Sequence, residues 1–156
     1  MPYSASAIAY AFVLKGIEED NYVTQMKLQK MVYFAHGYHL AKYGKPLVNE
    51  DFEAWKFGPV VPDIYQSYKL YGSSHIIDPG LVPKSAKPLT LSDSALDAID
   101  YTWRVTKKLS AAQLMNWTHA DGSPWAQVYD PTNISTVIQN DTIQVYFKRL
   151  IFTPAA

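Results

Sequence analysis

The chain contains no cysteine. That excludes disulfide bridges, a thiol nucleophile and cysteine-ligated zinc as bases for its fold or activity. An excess of charge is missing too: Lys and Arg number 14, Asp and Glu number 14, and the sequence pI is close to 6.9. No global field draws the protein to nucleic acid or to a lipid surface, so any attraction to a polyanion has to be local. The opening MPYSASAIAYAFVLKG has neither a basic start nor a long apolar run, and it reads as neither a signal peptide nor a membrane span. Triplets beginning at Asn116, Asn133 and Asn140 match the glycosylation acceptor pattern, but without a secretion signal they are read as chance, and the expected address is the cytoplasm. The phosphate-cradling loops GxGxxG and GxxxxGK[ST] and the GxSxG nucleophile elbow are absent. Paired carboxylates for acid–base work would have to be assembled from distant segments, such as Glu53 with Asp63.

What is present is a globular composition, 48% hydrophobic and 18% charged over 156 residues, read as one domain spanning 1–156. Helical spacing of Ala9, Phe12, Val13 and Gly16 predicts a first helix from Ser4 to Ile17, capped by Ser4 or Ser6. A long second helix begins at Thr24 and is stopped by Gly44 and Pro46. It is apolar nearly all round, which marks it as the buried spine. Phe52 to Phe57 reads as a short extended or irregular segment, and Pro62 opens a helix reaching Gly72. Residues 73–91 carry three of the ten prolines and form a loop with a short β-pair at Ile76-Ile77 and Leu89-Thr90. Further helices start at Ser92 or Asp93, ending near Leu109, and at Ser110; Asp121–Trp125 is a turn, and a last helix runs from Ile143 to Leu150 behind Asn140 or Asp141. The expected fold is mainly α, a single compact helical domain with at most a small two- or three-stranded β element.

Three histidines raise the question of a metal or an enzyme. His36 and His39 are three apart on the spine helix, His119 precedes Asp121, and no carboxylate lies between Asp20 and Glu50 to join them. The plainer expectation is that His39 is a hydrogen-bonded core residue and His36 an edge one. Lys27, Lys30, Lys42 and Lys45 form a positive stretch without acidic compensation, with Lys27, Lys30 and Phe34 opposite the most apolar face of the helix. Such a set suits phosphate and base contacts, an acidic partner protein, or only a solvated face. Most of the twelve tyrosines and four tryptophans must serve the core, and some surplus at the surface would suit a protein that binds another protein.

Three stretches together carry a family resemblance: KLQKMVYFAHGYHLAKYGKPLVNEDFEAWKFGPVVPDIYQSY (27–68), LMNWTHADGSPW (114–125) and DTIQVYFKRL (141–150). They resemble the Panacea domain, the SocA-like antitoxin domain that also includes GepA-like phage-associated proteins. The resemblance implies a helical antitoxin without catalysis or cofactor, encoded beside a toxin and neutralising it by direct protein–protein binding. A SocA-type member instead works as a proteolytic adaptor, delivering its toxin to ClpXP. The balanced charge leads to no expected membrane partner and makes nucleic acid an unlikely one, and a homo-oligomer is left open. By motif, the signature positions are Lys27, Gln29, Lys30, Tyr33, Trp55, Gly58, Pro59, Asp63, Thr118, His119, Pro124 and Trp125. Gln29, Trp55, Gly58, Pro59, Thr118, His119, Pro124 and Trp125 are expected to hold the fold, with Thr118 and His119 bonding the Gly58-Pro59 corner. Lys27, Lys30, Tyr33, Phe34, Lys56 and Asp63 are the expected partner contacts.

Overall fold

A computed structural model describes residues 2–81 and 90–152. In chain order the elements are α1 (Ala5–Glu18), α2 (Gln25–Tyr43), β1 (Phe52–Trp55), β2 (Gly58–Val60), α3 (Pro62–Tyr68), α4 (Asp93–Thr106), α5 (Ala111–Thr118), α6 (Pro124–Val128), β3 (Val137–Ile138) and α7 (Asn140–Phe147). One 3-10 turn, Lys69–Tyr71, prolongs α3 to Gly72, and a π-helical turn, Lys148–Phe152, prolongs α7. The three strands form an antiparallel sheet in the order β2-β1-β3, with Glu53 opposite Val60 and Phe52 opposite Ile138. The molecule is thus mainly helical with one small sheet.

Hydroxyl caps set most helix starts. The side chains of Ser4, Thr24, Ser92 and Ser110 accept from the amides of Ala7, Lys27, Ala95 and Gln113, and Ser110 with Gln113 forms a full capping box. Ser123 caps α6 in the same way with Pro124 at its first position, so half of the expected turn 121–125 is a helix start. α4 stops at Thr106, short of Leu109, and α7 begins three residues before Ile143. The expected β-pair is absent at Ile76-Ile77, while Leu89 lies outside the described residues. Ile76 instead pins its loop: its amide donates to Val23 O at 2.8 Å, and its side chain is fully buried.

α2 is the spine. Every residue from Lys27 to Ala41 is buried, because α1, α4, α5, α7 and the hairpin together enclose it. Phe147 of α7 sits over Gly37, where a Cβ would collide with the ring. Around Phe147 lie the rings of Tyr33, Phe34, Trp117 and Tyr146, at centroid distances from 5.5 to 5.9 Å. Much of the aromatic surplus is therefore internal.

The spine histidines are bonded into this frame. His36 is not at an edge but fully buried. Its Nδ1 accepts the amides of Leu47 and Val48, both at 3.3 Å, which leaves Nε2 to donate to Asn140 Oδ1 at 2.8 Å. His39 donates from Nδ1 to Lys45 O at 2.6 Å, and its Nε2 meets Ser94 Oγ at 2.9 Å. Lys42 is compensated too: Asp97 Oδ2 receives its ammonium at 2.8 Å and the Tyr43 hydroxyl at 2.6 Å. Among the described residues no group of three histidine or acidic side chains is placed to hold a metal ion.

Candidate functional site: an apolar cleft at the hairpin corner

The hairpin turns in two residues, Lys56 and Phe57, between Trp55 and its partner Gly58. Asp20 is the one non-glycine residue with positive φ among those described, so Lys56 and Phe57 keep negative φ and Gly58, at φ 118°, supplies the reversal. Gly58 is required a second time by closeness: a Cβ there would lie 2.9 Å from Thr118 Oγ1 and 3.2 Å from Lys30 Cε. The strand exit is fastened to the spine by Gln29, whose Oε1 accepts the Val61 amide at 3.0 Å and whose Nε2 donates to Val61 O at 3.3 Å.

α5 and α6 close the corner from the other side. Trp125 Nε1 donates to Trp55 O at 2.6 Å. The Trp125 ring is stacked between His119, at 3.7 Å, and Tyr129, at 4.4 Å. The bond between the halves therefore comes from Trp125, not from Thr118 or His119 as the sequence suggested. The Thr118 hydroxyl is spent on Met115 O within its own helix, and the Thr118 carbonyl accepts from Ser123 Oγ at 2.8 Å. Trp125→Phe keeps the stack and loses the bond. It is expected to lower stability by about 1 kcal/mol, read as a lower urea midpoint with unchanged slope.

Between α2, the hairpin tip and α3 lies a cleft of about 610 Å³. Its walls are largely hydrocarbon, from Met26, Trp55, Phe57, Val60, Tyr65 and Ile134, and its charged lining residues are Lys30 and Lys56. Phe57 is 50% exposed and Tyr65 42%. Both are apolar surface beside the opening that the sequence reading did not select. A two-residue turn leaves its central side chains outside the sheet, and that was the available signal for Phe57.

The expected partner contacts divide sharply. Lys27, Lys30, Tyr33 and Phe34 are not on an open face; all four are buried. The physical reason is that the hairpin and the α4–α5 connection cover the side of α2 that a helical wheel assigns to water. Lys27 Nζ donates to Lys107 O at 2.9 Å, which ties it to that connection. Phe34 stacks on Tyr101 and meets Trp117 at a tilt, and Tyr33 packs edge-on to Phe52. Lys56 is exposed at the cleft, and Asp63 is exposed in the first turn of α3, outside the cleft lining. Lys30, Gln29, Trp55 and Lys56 are thus brought to one place, and Lys27, Tyr33, Phe34 and Asp63 are not among them.

Lys30 is the unusual member. It is 2% exposed, and among the described residues it makes no hydrogen bond or ion pair. Burial alone draws its pKa down to about 8. Beside it, His119 Nε2 is buried and without a hydrogen-bond partner among the described residues. Burial, and then the charge of Lys30, hold the His119 imidazole below its ordinary pKa.

These features define a small helical domain in which α2, the hairpin and α3 build most of the wall of an apolar cleft beside a buried lysine. The family model for the antitoxin SocA-like, Panacea domain matches residues 28–126, and the chain belongs to that family. The match contains the first two resembling stretches almost entirely, while 141–150 lies beyond it. Among curated proteins, Antitoxin SocA of Caulobacter vibrioides (strain NA1000 / CB15N) is 35% identical over 127 residues, covering 78% of this chain and 68% of the relative. No solved structure matches the chain. Family membership supports an antitoxin role. No helix among the described residues is long and apolar enough to cross a membrane.

Proposed function

We propose that this protein is a cytoplasmic antitoxin that neutralises a cognate toxin, encoded nearby, by binding it directly and without catalysis of its own. The observation that carries the reading is the cleft inside the family match: Gln29, Lys30 and Trp55, which belong to the motifs that resemble the family, line a large apolar opening beside exposed Phe57 and Tyr65. Apolar and aromatic surface around a few polar groups is what a protein hot spot requires. The Leu47 and Val48 amides occupy the acceptor nitrogen of His36, and the nitrogen of His39 that could act as base or ligand, Nε2, is bonded to Ser94 Oγ.

The reading is tested by expressing the adjacent reading frame alone and together with this chain. Growth arrest by the first, relief by the second, and co-purification of both proteins at undiminished toxin level is the expected result. Arrest that persists on co-expression overturns the reading. Loss of the toxin that depends on a ClpXP-type protease identifies delivery to proteolysis in place of simple inhibition.

A further inference from the structure

We propose that the cleft receives an acidic side chain, Asp or Glu, carried on an otherwise apolar segment of the toxin, with its carboxylate seated against the ammonium of Lys30. The inference rests on the toxin-binding reading and supplies the chemistry of that contact.

Charge complementarity comes first. Among the described residues the cleft is lined by two cations and by no carboxylate, and Lys30 is buried without a counter-charge. A buried cation in hydrocarbon surroundings is held there at a cost in folding stability, and an incoming carboxylate offsets that cost at the moment of binding. Shape and polarity select a side chain over a chain terminus. Walls of Met26, Trp55, Val60 and Ile134 offer few hydrogen-bond partners, so a peptide backbone threaded into the cleft would leave its N–H and C=O groups unsatisfied. An Asp or Glu stem covers the same apolar wall with methylenes while its backbone stays at the opening. A phosphate group is disfavoured because it wants several converging cationic donors, and the charged side chains lining the cleft among the described residues are Lys30 and Lys56 alone.

Lys30→Met tests the inference because it keeps the length of the stem and removes the charge. The variant is expected to melt higher than the native chain, since the folded state no longer holds a desolvated cation. The stability of the native chain is expected to rise with pH from about 8 towards 10.5. In that window the unfolded chain keeps the Lys30 proton and the folded one has released it.

Binding of the purified product of the adjacent reading frame, followed by calorimetry, is expected to weaken about 30-fold or more in Lys30→Met, and far less in Lys56→Met. For the native chain the affinity falls above pH 8 as Lys30 loses its proton, and Lys30→Met removes that slope. His119, held below its ordinary pKa by burial, is neutral above pH 8 in both chains, and Lys56 and Tyr65, the other ionisable groups at the cleft, are common to both. Neutralising the toxin's Asp and Glu residues singly with Asn and Gln is expected to find one whose loss equals that of Lys30→Met and adds nothing to it. The loss measured with the native chain does not depend on the folding of the variant; the comparison with Lys30→Met completes the cycle.

Undiminished binding by a folded Lys30→Met, or no acidic toxin residue coupled to it, overturns the inference while native neutralisation leaves the antitoxin reading intact. Failure of the native chain to bind the product at all overturns both.

Discussion

Phe147→Ala lowers the unfolding free energy by about 3–5 kcal/mol, a fall in melting temperature of roughly 6–20 °C for a chain of this size. The ring is fully buried and stands where α7 crosses the spine. It makes edge-on contacts with Tyr33, Phe34 and Trp117 at 5.5, 5.5 and 5.6 Å. Its position over Gly37 leaves no side chain on that part of α2 to fill the space it vacates. Four rigid rings around the hole relax poorly, which places the cost towards the upper end of the range. Trp117 belongs to α5, the helix that ends in Thr118 and supports the hairpin corner, so loosening the cluster also loosens one wall of the cleft. Differential scanning calorimetry checks the prediction, and a fall of less than about 2 °C would contradict the central place given to this ring.

Acid is the second strong perturbation. Burial, against the opposing help of the Asn140 hydrogen bond, holds the His36 imidazole at a pKa of about 4, compared with 6.5 when solvated. Protonation would also destroy the acceptor that serves the Leu47 and Val48 amides. Between pH 6.5 and 4 the unfolded chain binds a proton that the folded chain refuses. The contribution of His36 is therefore complete above pH 6.5 and falls as the pH drops, with about 3 kcal/mol lost by pH 4. Glu50 works in the opposite sense at the acid end, because burial raises its pKa and the folded state then binds its proton first. Proton NMR separates the two: the His36 ring signal is expected to stay unshifted from pH 7 to 5. A midpoint above pH 6 in the folded protein would refute this account.

The helices were legible because their signals are local. Ser4, Thr24, Ser92 and Ser110 cap where a hydroxyl precedes a periodic apolar run, and Gly44 ends α2 in a left-handed conformation at φ 70°. β3 was not, since two residues leave no period and Val137-Ile138 is a strand only because Phe52 and Glu53 lie beside it. The cap of α6 was hidden inside a stretch that reads as a turn.

The candidate site divides along the same line. Motif order by itself identified the family signature, the stiff corner from Trp55 to Pro62 and the spine helix. Periodicity could not say which face of the spine met water, because that depends on what covers it. Lys27 and Lys30 look like surface residues in one dimension and become buried once the hairpin and the α4–α5 connection fold across them. Composition and local pattern thus determined a helical, cysteine-free, charge-balanced domain of the SocA-like family. Tertiary packing alone decided that one lysine of its signature would be left inside a hydrocarbon cleft without a counter-charge. Burial and pairing are properties of neighbours in space, and residues distant along the chain supply them.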